Sequence, residues 1–68
     1  MRFYVNKNVQ ANGDHEVHQA TCLFLPNEVN RINLGEFFNC ATAVEAAKEH
    51  YPKSSNGCFF CAILCHEK

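Results

Sequence analysis

The sequence predicts an α+β fold: a small antiparallel β-sheet, one main helix over about residues 42–51, and a short Cys-rich C-terminal segment that closes over them. Three observations carry this expectation. The N-terminal half holds short runs of aromatic and β-branched residues broken by turn residues, an Ala-rich stretch follows with helical spacing, and three of the five cysteines fall after residue 57. The chain has 68 residues and reads as one small domain, 1–68, with no linker, repeat or low-complexity tract. A domain of this size buries only roughly 60% of the surface its unfolded chain exposes. Its core is therefore marginal, and a disulfide or metal staple is a common remedy.

The elements follow in chain order. Arg2-Phe3-Tyr4-Val5-Asn6 has the composition of a strand. Asn12-Gly13-Asp14 is a turn, because Asn and Gly tolerate positive φ, and Glu16-Val17-His18 returns as a second strand. Pro26 halts the apolar triplet Leu23-Phe24-Leu25. Val29 to Leu34 alternates apolar and polar residues with period two, a half-buried strand, and Gly35 ends or bends it. Thr42-Ala43-Val44-Glu45 fits a capping box in which the Thr hydroxyl caps the helix and Glu45 reaches back. Val44, Ala47 and Tyr51 share one helix face, and Pro52 marks the stop. Lys53 to Gly57 reads as a loop. The run from Cys58 to His66 is expected to be buried, as a strand or a short helix.

Charge and motif content narrow the function classes. The net charge is −1 with His neutral, which argues against a strongly basic nucleic-acid clamp and against an acidic disordered tail. A domain of this length has little chain left for a deep substrate cleft. It carries neither a Gly-x-Ser-x-Gly elbow nor a phosphate-binding Gly loop, so a non-enzymatic protein is expected. The apolar run from Cys58 to Cys65 is far shorter than the roughly 20 residues that span a bilayer, and the first residues lack the apolar core of a secretory leader. These readings predict a cytoplasmic protein with no membrane partner.

Five cysteines and four histidines in 68 residues are the densest chemical signal. Without an export signal, such density points to metal ligation or reactive thiols before disulfides. His18-x-x-x-Cys22 supplies one local pair of ligands and Cys58-x-x-Cys61 a second. Zinc takes four thiolate or imidazole ligands in a tetrahedron, commonly as two such pairs, and its binding energy becomes folding energy in a small domain. The expected metal ligands are therefore His18, Cys22, Cys58 and Cys61, and the expected cofactor is Zn2+.

His18-x-x-x-Cys22, Asn30-Arg31-Ile32-Asn33-Leu34, the capped Ala-rich helix and Gly57-Cys58-x-x-Cys61 together resemble the Ada-type group of small HxxxC…CxxC zinc domains. That group includes the zinc domain of a DNA alkylation-repair protein and small domains found beside nucleases. The resemblance spans roughly residues 16–61. It implies a small sheet and a helix around one zinc held by the same four residues. It does not extend to methyl transfer, for which no cysteine here is marked. Cys40, Cys65 and His66 have no place in its pattern.

Other readings stay open at this level. Cys40, Cys65 or His66 are alternative ligands, and Cys40–Cys65 or Cys22–Cys65 are candidate disulfides. Cys65 and His66 read first as a tail with one buried thiol and one solvated imidazole. His15, after the turn, reads as a solvated loop residue. A thioredoxin-like use of Cys58 and Cys61 fits poorly, because the chain is too short for the βαβ scaffold that motif needs. Adjacent aromatics at Phe37-Phe38 and Phe59-Phe60 cannot all face one core, so an interface through exposed rings is expected, including a homodimer. The functional expectation is a small zinc-stabilised binding module whose partner is an unknown protein or a nucleic acid. The alternative is a metal-free structural or interaction protein with packed or disulfide-bonded cysteines.

Overall fold

The computed structural model describes residues 1–67 and has the expected α+β architecture. Its elements are strands β1 (Arg2–Asn6), β2 (His15–Gln19), β3 (Arg31–Glu36) and β4 (Ser55–Gly57), and one helix, α1 (Cys40–Ala47). Short 3-10 turns stand at Glu28–Asn30 and Ile63–Cys65. The four strands form one sheet in the order β3-β1-β2-β4. β1 pairs antiparallel with both β2 and β3, whereas β4 joins β2 in parallel, so the sheet is mixed and not wholly antiparallel. The helix accounts for the difference: it carries the chain back along the sheet after β3, and the next strand then starts from the same end.

Period-two alternation divides the strands. Phe3, Val5 and Val17 are fully buried and meet Ala43 and Ala47 of α1, with Ile32, Leu34, Phe37, Val44 and Tyr51 packed around them. Cross-strand pairing places Val5 opposite Val17 and Tyr4 opposite His18, so alternation sends His18 to the face opposite the helix. The Asn12-Gly13 turn forms as expected. Gly13 has φ 91°, and the Asn12 side chain accepts the Asp14 N–H at 2.9 Å.

β3 begins at Arg31, two residues later than the alternation suggested, because Val29 and Asn30 belong to a 3-10 turn. Gly35 neither ends nor merely bends the strand. Its φ is 110°, and the pairing with β1 slips between Phe3 and Tyr4, leaving Leu34 as the extra residue of a bulge.

The helix is shorter than expected and starts earlier. Asn39 is its N-cap: the Asn39 side chain accepts the Thr42 N–H at 3.0 Å, and the Thr42 hydroxyl donates back to the Asn39 carbonyl at 3.1 Å. Glu45 does not reach back but pairs with Lys48. Asn equals or exceeds Thr as a cap, and starting at Asn39 brings Cys40 into the first turn. Regular helix ends at Ala47; Glu49 and His50 donate to carbonyls only three residues back. The last turn tightens ahead of Pro52, whose ring disfavours helical backbone at Tyr51.

Candidate metal centre

β2 and β4 build the site between them. Glu16 pairs with Asn56 and Val17 with Gly57, and the Cys58 N–H donates to the Val17 carbonyl at 2.9 Å. The parallel ladder thus delivers the first C-x-x-C sulfur alongside His18. Gly57 permits this close approach. A Cβ there would stand 2.8 Å from the Ala62 carbonyl oxygen and from two atoms of Cys65, so the C-terminal turn folds directly over it. Cys22 arrives on a turn just after β2, with its N–H bonded to the Gln19 carbonyl.

The four expected ligands converge. One ligand atom from each of His18, Cys22, Cys58 and Cys61 lies within 4.8 Å of all the others, an arrangement that could hold a metal ion. The Cys22 and Cys58 sulfurs are 3.9 Å apart, and Cys61 Sγ is 3.9 Å from His18 Nδ1. Two bonds of about 2.3 Å at a tetrahedral angle would separate sulfurs by about 3.8 Å. The Cys22–Cys58 separation therefore matches one edge of such a tetrahedron.

Backbone donors face each sulfur. Phe24 N–H points to Cys22 Sγ at 3.4 Å, Phe60 N–H to Cys58 Sγ at 3.4 Å and Gln19 N–H to Cys61 Sγ at 3.3 Å. A neutral thiol is a weak acceptor, whereas bonds to an ionised acceptor are about twice as strong as neutral ones. The donors thus suit thiolates. Burial opposes ionisation, however, and pushes both the Cys58 and the Cys61 thiols up. A metal cation at the centre would resolve the conflict. Burial also pushes the His18 imidazole down, which keeps it neutral, the form that ligates.

His18 is 1% exposed, and its Nε2 has no hydrogen-bond partner. That nitrogen faces Glu16 Oε1 at 3.7 Å. Burial raises the Glu16 carboxyl, partly offset by the nearby His66. A metal-ligating imidazole commonly directs its second nitrogen at such a carboxylate, which fixes tautomer and ring orientation. Glu16 escaped the sequence reading, although a signal was present: two positions before His18 in a strand is the same face.

The remaining expectations resolve differently. Cys40 and Cys65 form a disulfide, so Cys65 is not the free thiol of a tail, and neither residue substitutes in the cluster. Cys22, Cys58 and Cys61 are free, which removes the Cys22–Cys65 bridge. The His66 Nδ1–H donates to the Gly57 carbonyl at 2.9 Å, holding the C-terminal turn. His15 is not a solvated loop residue: it opens β2, stacks on Tyr51 at 3.6 Å between ring centroids, and donates from Nδ1 to the Asn6 carbonyl. The apolar run after Gly57 is only partly buried. Cys58 and Ala62 face inward while Phe59, Phe60, Ile63 and Leu64 are exposed, because a turn that aims Cys58 and Cys61 at one point sends the intervening side chains outward. Phe37 packs on the core and Phe38 projects into solvent.

Among the described residues no helix is long and apolar enough to cross a membrane. Comparisons with protein-family models, with curated proteins and with solved structures find no match for the chain.

Proposed function

We propose that the protein is a small, non-catalytic, zinc-stabilised binding module in which His18, Cys22, Cys58 and Cys61 hold one Zn2+. The observation that carries this reading is the convergence of three free thiols and one buried imidazole within 4.8 Å. Three sulfurs and one nitrogen form the donor set of closed structural zinc sites, which keep no open position for substrate. The N–H donors aimed at the sulfurs support it further. The partner is a protein or a nucleic acid, and the likeness to Ada-type zinc domains agrees with either. A cytoplasmic location belongs to the same reading. The Cys40–Cys65 bridge is the feature that favours the alternative, a metal-free module stapled by disulfide in an oxidising compartment.

Native mass spectrometry of protein purified without added metal separates the two. One zinc per chain, whose removal by chelator leaves a markedly less stable chain held by the Cys40–Cys65 bridge, is the expected result. Cobalt substitution should give the intense thiolate-to-metal absorption of a tetrahedral site. A folded chain at bare mass, unaffected by chelator, overturns the zinc reading and leaves the disulfide-stapled module.

A further inference from the structure

Beside the metal cluster lies a hollow of about 400 Å3, lined by Gln10, Glu16, Phe24, Cys58, Phe59 and Phe60. Half of these residues are phenylalanines. Phe24 and Phe60 meet edge to face with ring centroids 5.3 Å apart, and Phe59 makes a similar contact with His66 at 5.4 Å. Although exposed, these rings are firmly placed. Phe24 and Phe60 each follow a cluster cysteine by two residues and bond to its sulfur through their own N–H. The turns that present the sulfurs therefore also present the rings.

We propose that this hollow binds an alkylated ammonium group, the head of a choline-like molecule or of a methylated lysine side chain. Charge comes first. Glu16 is the one ionisable carboxylate on the wall, no Lys or Arg lines the hollow, and the Glu16 side chain is only 18% exposed. A carboxylate beside three phenyl rings attracts a cation, and a ring that turns its face to that cation adds the quadrupole attraction that quaternary ammonium ions exploit. The second argument is hydrogen-bond capacity. A primary ammonium brings three N–H donors and a guanidinium five. The side-chain acceptors on the wall are the two Glu16 oxygens, one of which already accepts from Gln10 Nε2 at 3.5 Å, and the Gln10 amide oxygen. A cation whose nitrogen is clothed in methyl groups needs no such partners and presents apolar surface to the rings. The size also suits, since ligand sites begin at about 300 Å3. One further contribution rests on the zinc reading: three thiolates around Zn2+ leave one negative charge, and Cys58 is part of the wall.

Amide chemical shifts followed during titration test the proposal on protein whose metal content is measured in the same sample. The probes are choline and a short peptide carrying trimethyllysine, each against its neutral carbon isostere with a tert-butyl head. Expected are saturable shifts at Gln10, Glu16, Phe24, Phe59 and Phe60, with the isosteres weaker by about tenfold and weakened binding in Phe24→Ala and Phe59→Ala. Tighter binding of choline or of the peptide identifies the source of the ammonium head, and either supports the site. Equal binding of cation and isostere, or no saturable shift in a folded chain, overturns it. Zinc-loaded protein that ignores both cations refutes this site and leaves the zinc reading intact. A zinc-free folded chain that binds them refutes the zinc reading and leaves the site standing on Glu16 and the rings.

Discussion

The Cys40–Cys65 bridge makes the most direct quantitative prediction. It joins the first turn of α1 to the C-terminal 3-10 turn across a sequence separation of 25. In the chain-entropy account, cross-linking a loop of that length removes about 12 cal/mol/K from the unfolded ensemble, or about 3.5 kcal/mol at 25 °C. For a domain of this size each kcal/mol moves the melting temperature by about 4–8 °C. A Cys40→Ala/Cys65→Ala protein should therefore melt about 15–25 °C lower than the bridged form. The double substitution is the right comparison, because a single one leaves a free thiol beside the cluster: Cys40 packs against the buried group formed by Cys22, Cys58 and Ala62. Thermal unfolding at fixed pH, followed by circular dichroism in the presence and absence of chelator, measures the change. The loss should be severe in metal-free protein and tolerable in the loaded form, where a second staple remains. An unchanged midpoint in chelator would refute the reasoning, since the bridge would then constrain nothing that unfolding releases.

Three further outcomes are expected. Gly57→Ala should cost about 1–3 kcal/mol and loosen the cluster, because its Cβ would collide with backbone atoms of the C-terminal turn at 2.8 Å; denaturation together with a metal-affinity titration reports both effects. Phe3→Ala, at a fully buried ring in the first core, should cost about 3–5 kcal/mol, whereas Phe38→Ala, at a ring 98% exposed, should stay within about 0.5 kcal/mol, as urea midpoints would show. The third concerns pH. Burial holds His18 below its usual value of 6.5, so as pH falls through that value the unfolded chain takes up a proton that the folded one refuses. Metal-free protein should lose stability from about pH 6.5 downward until His18 protonates in the folded state, and a His18→Gln variant should lack that slope. Zinc affinity should rise with pH throughout, because loading expels protons from Cys58 and Cys61, whose thiols burial keeps protonated.

Much of this molecule was legible before any coordinates, and what failed to show had physical reasons. Strands β1 and β2, the Asn12-Gly13 turn, the buried helix face and the clustering of His18, Cys22, Cys58 and Cys61 all follow from local chemistry: propensity, turn conformation, periodicity and the spacing of the two pairs. The helix boundaries shifted because Asn39 and Thr42 are both competent caps, and local sequence does not rank two caps one turn apart. The parallel docking of β4 was illegible because Ser55-Asn56-Gly57 has no strand composition. It pairs because β2 offers an edge and Gly57 lets the C-terminal turn sit against it. His15 looked solvated because nothing local announces Tyr51, which lies 36 positions along the chain and stacks on it. Apolar content misled at Phe59 and Phe60, where the geometry of the Cys58–Cys61 turn, and not hydrophobicity, decides which side chains face in, and at Ile63 and Leu64, which the following 3-10 turn leaves exposed.

The odd number of cysteines follows from the same geometry. A disulfide framework leaves one of five unpaired, and a site of four cysteines leaves one over. Here two are joined and three are free, and His18 completes the free set to four donors that could hold a metal ion. The two groups are not independent, since Cys40 packs against the buried group that Cys22 and Cys58 form with Ala62. Reduction of the bridge would place additional thiols at the edge of the cluster, where thiolates compete for a soft metal ion. The bridge thus does more than shorten the unfolded chain. By holding Cys40 and Cys65 together it leaves His18, Cys22, Cys58 and Cys61 as the set of donors that converges, and it clamps the C-terminal turn over Gly57, the residue whose missing side chain lets β4 carry Cys58 to His18. Under the zinc reading, disulfide and metal are two staples of one segment, and loss of either should raise the protein's dependence on the other.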